Sequence, residues 1–193
     1  MMGKITNCKD LLMALLYAKG HTGKQHEPII GKTRLMKMVF LFDKEIRSKF
    51  NLKKTIPVSA LPKFDPCDYG PFSSQVYEDL EFLVEIGLVD VIKIEDTELL
   101  EEERQEYEYW QATSGGEDKE QDEFQERFSL SKLGREFVKE ELLNSLSKEQ
   151  WDALDEFKRR CTSAELKTLL RYVYTKYPDM TTKSKIRKRV IGY

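Results

Sequence analysis

Gly31-Lys32-Thr33 reads like the end of a phosphate-binding loop. The complete motif needs a glycine five residues earlier, where this chain has His26, and a strand before it. Thr33 is therefore expected to cap a helix rather than serve a nucleotide. His21 and His26 stand five residues apart in a glycine-containing polar stretch, a poor spacing for two metal ligands on one helix face, and are expected to be exposed loop residues. Cys8, Cys67 and Cys161 are isolated, odd in number and without a CxxC pair. That pattern fits neither a disulfide framework nor a closed zinc site, and points to a reducing cytoplasm. A nucleophilic Cys8 or Cys67 needs a neighbouring base that the sequence does not supply. Glu101, Glu102 and Glu103 offer clustered carboxylates, but they lack the oxygen-ligand pattern of a calcium loop and read as a solvated run. No cofactor, metal or catalytic constellation emerges, and a non-enzymatic protein is expected.

Charge is unevenly spread. From Glu95 to Glu126 fourteen acidic residues face only Arg104 and Lys119, so that segment carries −12 and the remainder of a −2 chain carries +10. Its carboxylates, among them Glu101, Glu102, Glu103, Glu106 and Glu108, are candidates for docking a basic partner, with Gly115-Gly116 at the centre. Lys32, Arg34 and Lys37, with Lys183, Lys185, Arg187, Lys188 and Arg189 near the end, are the alternative, a basic surface for nucleic acid. The apolar run Leu11–Ala18 is too short to span a bilayer and lacks a signal peptide's flanks, so no membrane association is expected.

The elements that must position these groups follow from periodicity. Residues 7–19 read as a helix capped by Asn7, with Leu11, Leu12, Leu15 and Leu16 on one face and Gly20 as its stop. Residues 20–31 read as loop. A second helix runs from about Thr33 to Lys49, with Leu35, Met38, Val39, Phe42 and Ile46 at helical spacing. Pro57, Pro62 and Pro66 exclude continuous helix before Tyr69. A third helix spans Ser73 to Gly87, and the β-branched stretch Leu88–Ile94 is a strand. Glu106–Gln111 has strand character, and Phe128–Leu130 returns as a strand before a helix capped by Ser131. Ser147 with Gln150, and Thr162 with Glu165, have capping-box spacing before two last helices, the second ended by Pro178.

Helix, strand, acidic connection, strand and helix in that order predict an α+β, mainly helical chain with a winged-helix-like core, a small hairpin wing and additional C-terminal helices. Thr33–Lys49 and Ser73–Gly87 would be its paired helices. The expected organisation is a domain over residues 1–146, with an insert at 95–126, and a helical extension over 147–193 packed on the same core. The helix from Ser73 to Gly87 carries Glu78, Asp79, Glu81 and Glu85 and no Lys or Arg, which disfavours it as a reader of bases and phosphates.

Two segments carry a family resemblance. Gly31-Lys32-Thr33-Arg34-Leu35-Met36-Lys37-Met38-Val39-Phe40-Leu41 and Asp68-Tyr69-Gly70-Pro71-Phe72-Ser73, taken in this order and spacing, resemble the SocA-like antitoxin domain, also called Panacea, and its YwgA-like relatives. The likeness covers chiefly residues 7–94, and the acidic insert departs from the family's short pattern. It implies a compact helical domain that binds a protein partner directly, a toxin or a defence-system component. Arg34, Lys37, Asp68, Tyr69, Gly70, Pro71 and Ser73 would be its structural or interaction residues. A DNA-binding regulator or a phage-defence sensor is the alternative. Read physically, Gly70 supplies a positive φ, Pro71 suits a first helical turn, Ser73 or Ser74 caps, and Tyr69 packs beneath the turn.

Overall fold

α1 (Cys8–Tyr17) starts where expected, at Asn7, whose side-chain oxygen accepts the Asp10 amide at 2.9 Å. From Leu11 to Tyr17 every residue is buried, so this part of α1 is apolar all round and lies at the centre of the core, while Lys9 and Asp10 in the first turn are partly exposed. The computed structural model describes residues 5–95 and 124–192.

Within the stretch expected to be loop, β1 (Ile29–Ile30) forms a two-residue strand. α2 (Lys32–Leu41) follows, with Gly31 at its N-cap and the Gly31 amide donating to the Glu126 carbonyl at 2.9 Å. The helix thus begins one residue before the expected start. Thr33 sits inside it and is 3% exposed, so it does not cap. The expected helix to Lys49 is realised as α2, a π-helical turn at Phe42–Ile46, and the short α3 (Arg47–Lys49).

β2 (Asp65–Cys67) and β3 (Gly70–Phe72) form a hairpin in which Pro66 faces Pro71. Pro71 was expected in the first turn of a helix. Instead, Cys67 pairs with Gly70 across the two-residue turn Asp68-Tyr69, which leaves Pro71 extended. α4 (Ser74–Glu85) therefore starts after Ser73, which is buried and makes no side-chain cap hydrogen bond.

β4 (Val89–Glu95) and β5 (Phe124–Leu130) pair antiparallel, and β1 joins the far side of β5. Ile29, Phe128 and Val91 form a row across the sheet on the core side, while Ile30, Arg127 and Ile92 form the next row. The one-residue offset puts that second row on the opposite face. The strand expected at Glu106–Gln111, and Glu101, Glu102, Glu103, Glu106 and Glu108, lie outside the described residues.

α5 (Lys132–Phe137) is capped by Ser131 as expected, with the Gly134 amide donating to Ser131 Oγ at 3.0 Å. A Cβ on Gly134 would stand 2.0 Å from the Leu88 carbonyl oxygen, so only glycine lets α5 lie this close to the start of β4. The capping box of Ser147 and Gln150 opens α6 (Lys148–Ser163) as expected. The second box does not form, because α6 runs on past Thr162, whose hydroxyl donates back to the Lys158 carbonyl at 2.9 Å. Glu165 is instead the N-cap of α7 (Leu166–Lys176), without a side-chain cap bond. A 3-10 turn at Pro178–Thr181 leads to α8 (Arg187–Ile191). Leu154, Phe157, Leu169, Leu170 and Val173 of α6 and α7 belong to the same buried cluster as α1 and α2. The architecture is α+β and mainly helical. Among the described residues, no helix is long and apolar enough to cross a membrane.

Candidate protein-binding face

The two segments that carry the family resemblance meet. Lys37 is fully buried on α2, and its ammonium donates to the carbonyls of Pro71 at 3.0 Å and Tyr69 at 3.2 Å. Gly70, between those carbonyls, has φ +87, and a Cβ there would lie 3.0 Å from the Tyr174 ring. Tyr174 is itself buried, with its hydroxyl 2.9 Å from Ser184 Oγ. The Asp68 carbonyl accepts the Lys185 amide at 2.7 Å, and the Asp68 carboxylate pairs with the Lys185 ammonium. Arg34 donates to the Ala164 carbonyl at 2.7 Å and to the Cys161 carbonyl, the last carbonyls of α6. Lys37, Gly70 and Pro71 thus form an internal junction with Asp68 and Tyr69 at its edge, Ser73 is buried just after it, and Arg34, half-buried on α2, ties that helix to the end of α6 instead.

The same chemistry recurs through the body. Lys158 is 0% exposed and donates to the carbonyls of Leu16 at 2.9 Å, Ala18 at 2.8 Å and Glu27 at 2.5 Å. A cation at a helix C-terminus satisfies orphan carbonyls and the negative end of the helix dipole. Burial pulls the Lys158 ammonium down to about 7, against the opposing pull of Glu27 and Asp155. Arg135 donates to the Leu130 carbonyl at 2.7 Å, and Arg187 to the Pro178 carbonyl at 3.2 Å and to Thr181 Oγ1 at 2.5 Å. Lys32 pairs with Glu126 at 3.1 Å.

These contacts redistribute the expected basic surface. Of its members, Lys37 is interior, Arg34 and Arg187 hold backbone carbonyls, and Lys32 and Lys185 are in ion pairs; Lys183, Lys188 and Arg189 are exposed. The sequence places +10 on the body, but much of it serves the fold.

Of the reactive candidates, Cys67 is half-buried on β2. Cys8 and Cys161 are buried; burial pushes both thiols up, Cys161 to about 12, away from thiolate. His21 is exposed and pairs with Glu27, as a loop residue should. His26 is half-buried rather than exposed, with its ring edge-on to Tyr17 at 4.4 Å between centroids. Burial lowers its pKa, with Arg135, Lys139 and Lys158 adding to the effect. Among the described residues no three His, Cys, Asp or Glu side chains gather as metal ligands.

One face of α4 points outward, as do Val58, Tyr172 and, in one row of the sheet, Ile30 and Ile92. Val76, Tyr77, Leu80 and Leu83 point into the core, and Asp79 is held by Lys9 at 2.8 Å. Glu78, Glu81, Phe82, Glu85 and Ile86 are exposed, with Phe82 at 45% and Ile86 at 44%. Leu133, beside Gly134 on α5, is 56% exposed. Ser131 Oγ, donating to the Gly87 carbonyl at 2.7 Å, ties the end of α4 to the start of α5.

Sequence reasoning passed over Phe82 and Ile86, although the signal existed: both lie off the Val76, Leu80 and Leu83 stripe. Lys158 was also passed over, four residues after Leu154 and so on the buried face of α6. Comparison of the chain with family models, curated proteins and solved structures found no match.

Proposed function

We propose that this chain is a non-enzymatic, antitoxin-like or regulatory protein that acts by binding a protein partner through the outward face of α4. The observation that carries the proposal is the chemistry of that face, two large apolar side chains beside Glu78, Glu81 and Glu85 on a helix that has no Lys or Arg of its own, with Lys9 of α1 reaching only its Asp79 edge.

A winged-helix-like core is part of the proposal. The order α1, β1, α2, α4, β4, β5, with β1 and β4 flanking β5, supports it. In such a core α4 takes the place of the helix that enters the major groove. Reading DNA from there needs Arg, Lys, Asn or Gln toward base edges and cations toward phosphates. Gln75 is the one such side chain on α4, whereas its carboxylates meet phosphate with like charge and Phe82 and Ile86 gain nothing from a polar groove. Both features suit a protein surface, where aromatic and aliphatic anchors supply the affinity. A toxin or a defence-system component, as the family resemblance implies, is the proposed partner class.

The test is affinity capture from source cells expressing the genes that neighbour this one, comparing wild type with Phe82→Glu/Ile86→Glu. The expected result is a captured protein that the double variant loses while its melting temperature stays within a few degrees of wild type. A captured set identical for both chains, or one released by nuclease, would overturn the proposal.

A further inference from the structure

We infer that the α4 face receives a basic amphipathic helix of the partner, its aliphatic side chains seated on Phe82 and Ile86 and its Lys or Arg residues on Glu78 and Glu85. The inference rests on the assignment of α4 as the binding face and adds what the partner must look like.

Phe82 and Ile86 are four residues apart and form one ridge along α4, the shape into which another helix sets its own i, i+4 ridge. Carboxylates stand along that ridge at 78, 81 and 85, so a helix approaching it meets negative charge along its length. A neutral or acidic segment would desolvate Glu78 and Glu85 without return, whereas a basic one compensates both.

The molecule already contains one example of the contact. The Lys9 ammonium bonds the Asp79 carboxylate at 2.8 Å and stands 5.3 Å from the centre of the Phe82 ring. One ammonium thus engages a carboxylate of α4 and the aromatic face beside it, a pairing stabilised by charge and by the ring quadrupole. Lys9 reaches α4 from α1 and leaves Phe82 45% exposed. A partner lysine can repeat this geometry from the solvent side, against Glu78 or Glu85.

The experiment uses two fluorescein-labelled 18-residue helical peptides, both with leucines at i, i+3, i+4 and i+7, one with lysines and one with glutamates elsewhere. Anisotropy titrations are run with the full chain and with Glu78→Lys/Glu85→Lys. The wild-type chain should bind the lysine peptide at least ten-fold more tightly than the glutamate peptide, and Phe82→Ser should weaken that binding about ten-fold. The charge-reversed variant should reverse the preference. Lysine-peptide binding that survives both the charge-reversed variant and Phe82→Ser would place the attraction elsewhere, as on the acidic segment, and overturn the inference. Equal binding of the two peptides would overturn it as well. If either happens while Phe82→Glu/Ile86→Glu still loses the captured protein, the α4 reading stands and only the partner's chemistry is wrong.

Discussion

The Lys37 ammonium lies 3.0 Å from the Pro71 carbonyl, so a wholly buried cation on α2 holds the hairpin turn that precedes α4. The bond ties α2 to the turn from which α4 starts, and α4 itself buries Val76, Tyr77, Leu80 and Leu83. Replacing Lys37 by Met keeps the volume and removes both donors, leaving the Tyr69 and Pro71 carbonyls without this partner. The expected loss is about 2–4 kcal/mol, since an unsatisfied buried polar group costs roughly 1–3 kcal/mol. Urea unfolding measures it. An unchanged midpoint with lost partner binding would make the turn a contact surface instead.

Gly70→Val is expected to destabilise by about 1–3 kcal/mol from backbone strain alone, because a β-branched residue tolerates positive φ poorly. The added side chain also meets the Tyr174 ring, which a Cβ alone approaches at 3.0 Å. Thermal unfolding decides the matter, and a melting temperature equal to wild type would contradict the described turn.

Lys158 makes stability depend on pH. Burial holds its folded-state pKa near 7 against an ordinary 10.5. Between those values the unfolded chain carries a proton that the folded chain lacks, so the Lys158 contribution to stability rises with pH from about 7 to 10.5 and is flat below. Cys8 and Cys161, whose thiols burial pushes up, pull the other way above about 9, so the rise is read by chemical unfolding as the stability of wild type minus that of Lys158→Met at successive pH values. Lys158→Met should be less stable throughout, having stranded three carbonyls, and should lose the rise. An identical slope in both proteins would assign the titration to another group.

Much of this architecture was legible in the sequence, and for physical reasons. Asn7, Ser131 and the Ser147-Gln150 pair are local caps, set by side chains within three residues of the amides they bind. They read correctly because nothing distant competes with them. Pro71 and Thr162 misled because distant contacts decided: strand pairing with Pro66 extended the first, and packing carried α6 past the second. The basic surface was misjudged for a related reason. Composition counts the charge of Lys37, Lys158 and Arg34, but it does not show that backbone carbonyls remote in sequence take them up. The α4 face was half-legible: Glu78, Asp79, Glu81 and Glu85 make its acidity plain, whereas an aromatic at position 82 reads as core or surface until the packing of α4 against α1 is known.

Arg34→Ala should cost about 1–3 kcal/mol, because it uncaps the last carbonyls of α6. Arg34→Lys should recover part of this, since a single ammonium replaces a guanidinium that now reaches both Cys161 and Ala164. Urea midpoints for the three proteins should fall in the order wild type, Lys, Ala. Equal midpoints would mean that this cap contributes nothing to stability.

A photo-crosslinking amino acid at position 82, and in separate preparations at 58 and at 188, tests the central claim most directly. Position 82 is on α4, Val58 is exposed far along the chain from it, and Lys188 is on the exposed basic end. After irradiation in source cells, position 82 should yield a discrete adduct to one protein, and positions 58 and 188 should not. Adducts to nucleic acid from position 188, with none from position 82, would contradict the account and make the C-terminal basic residues the functional surface.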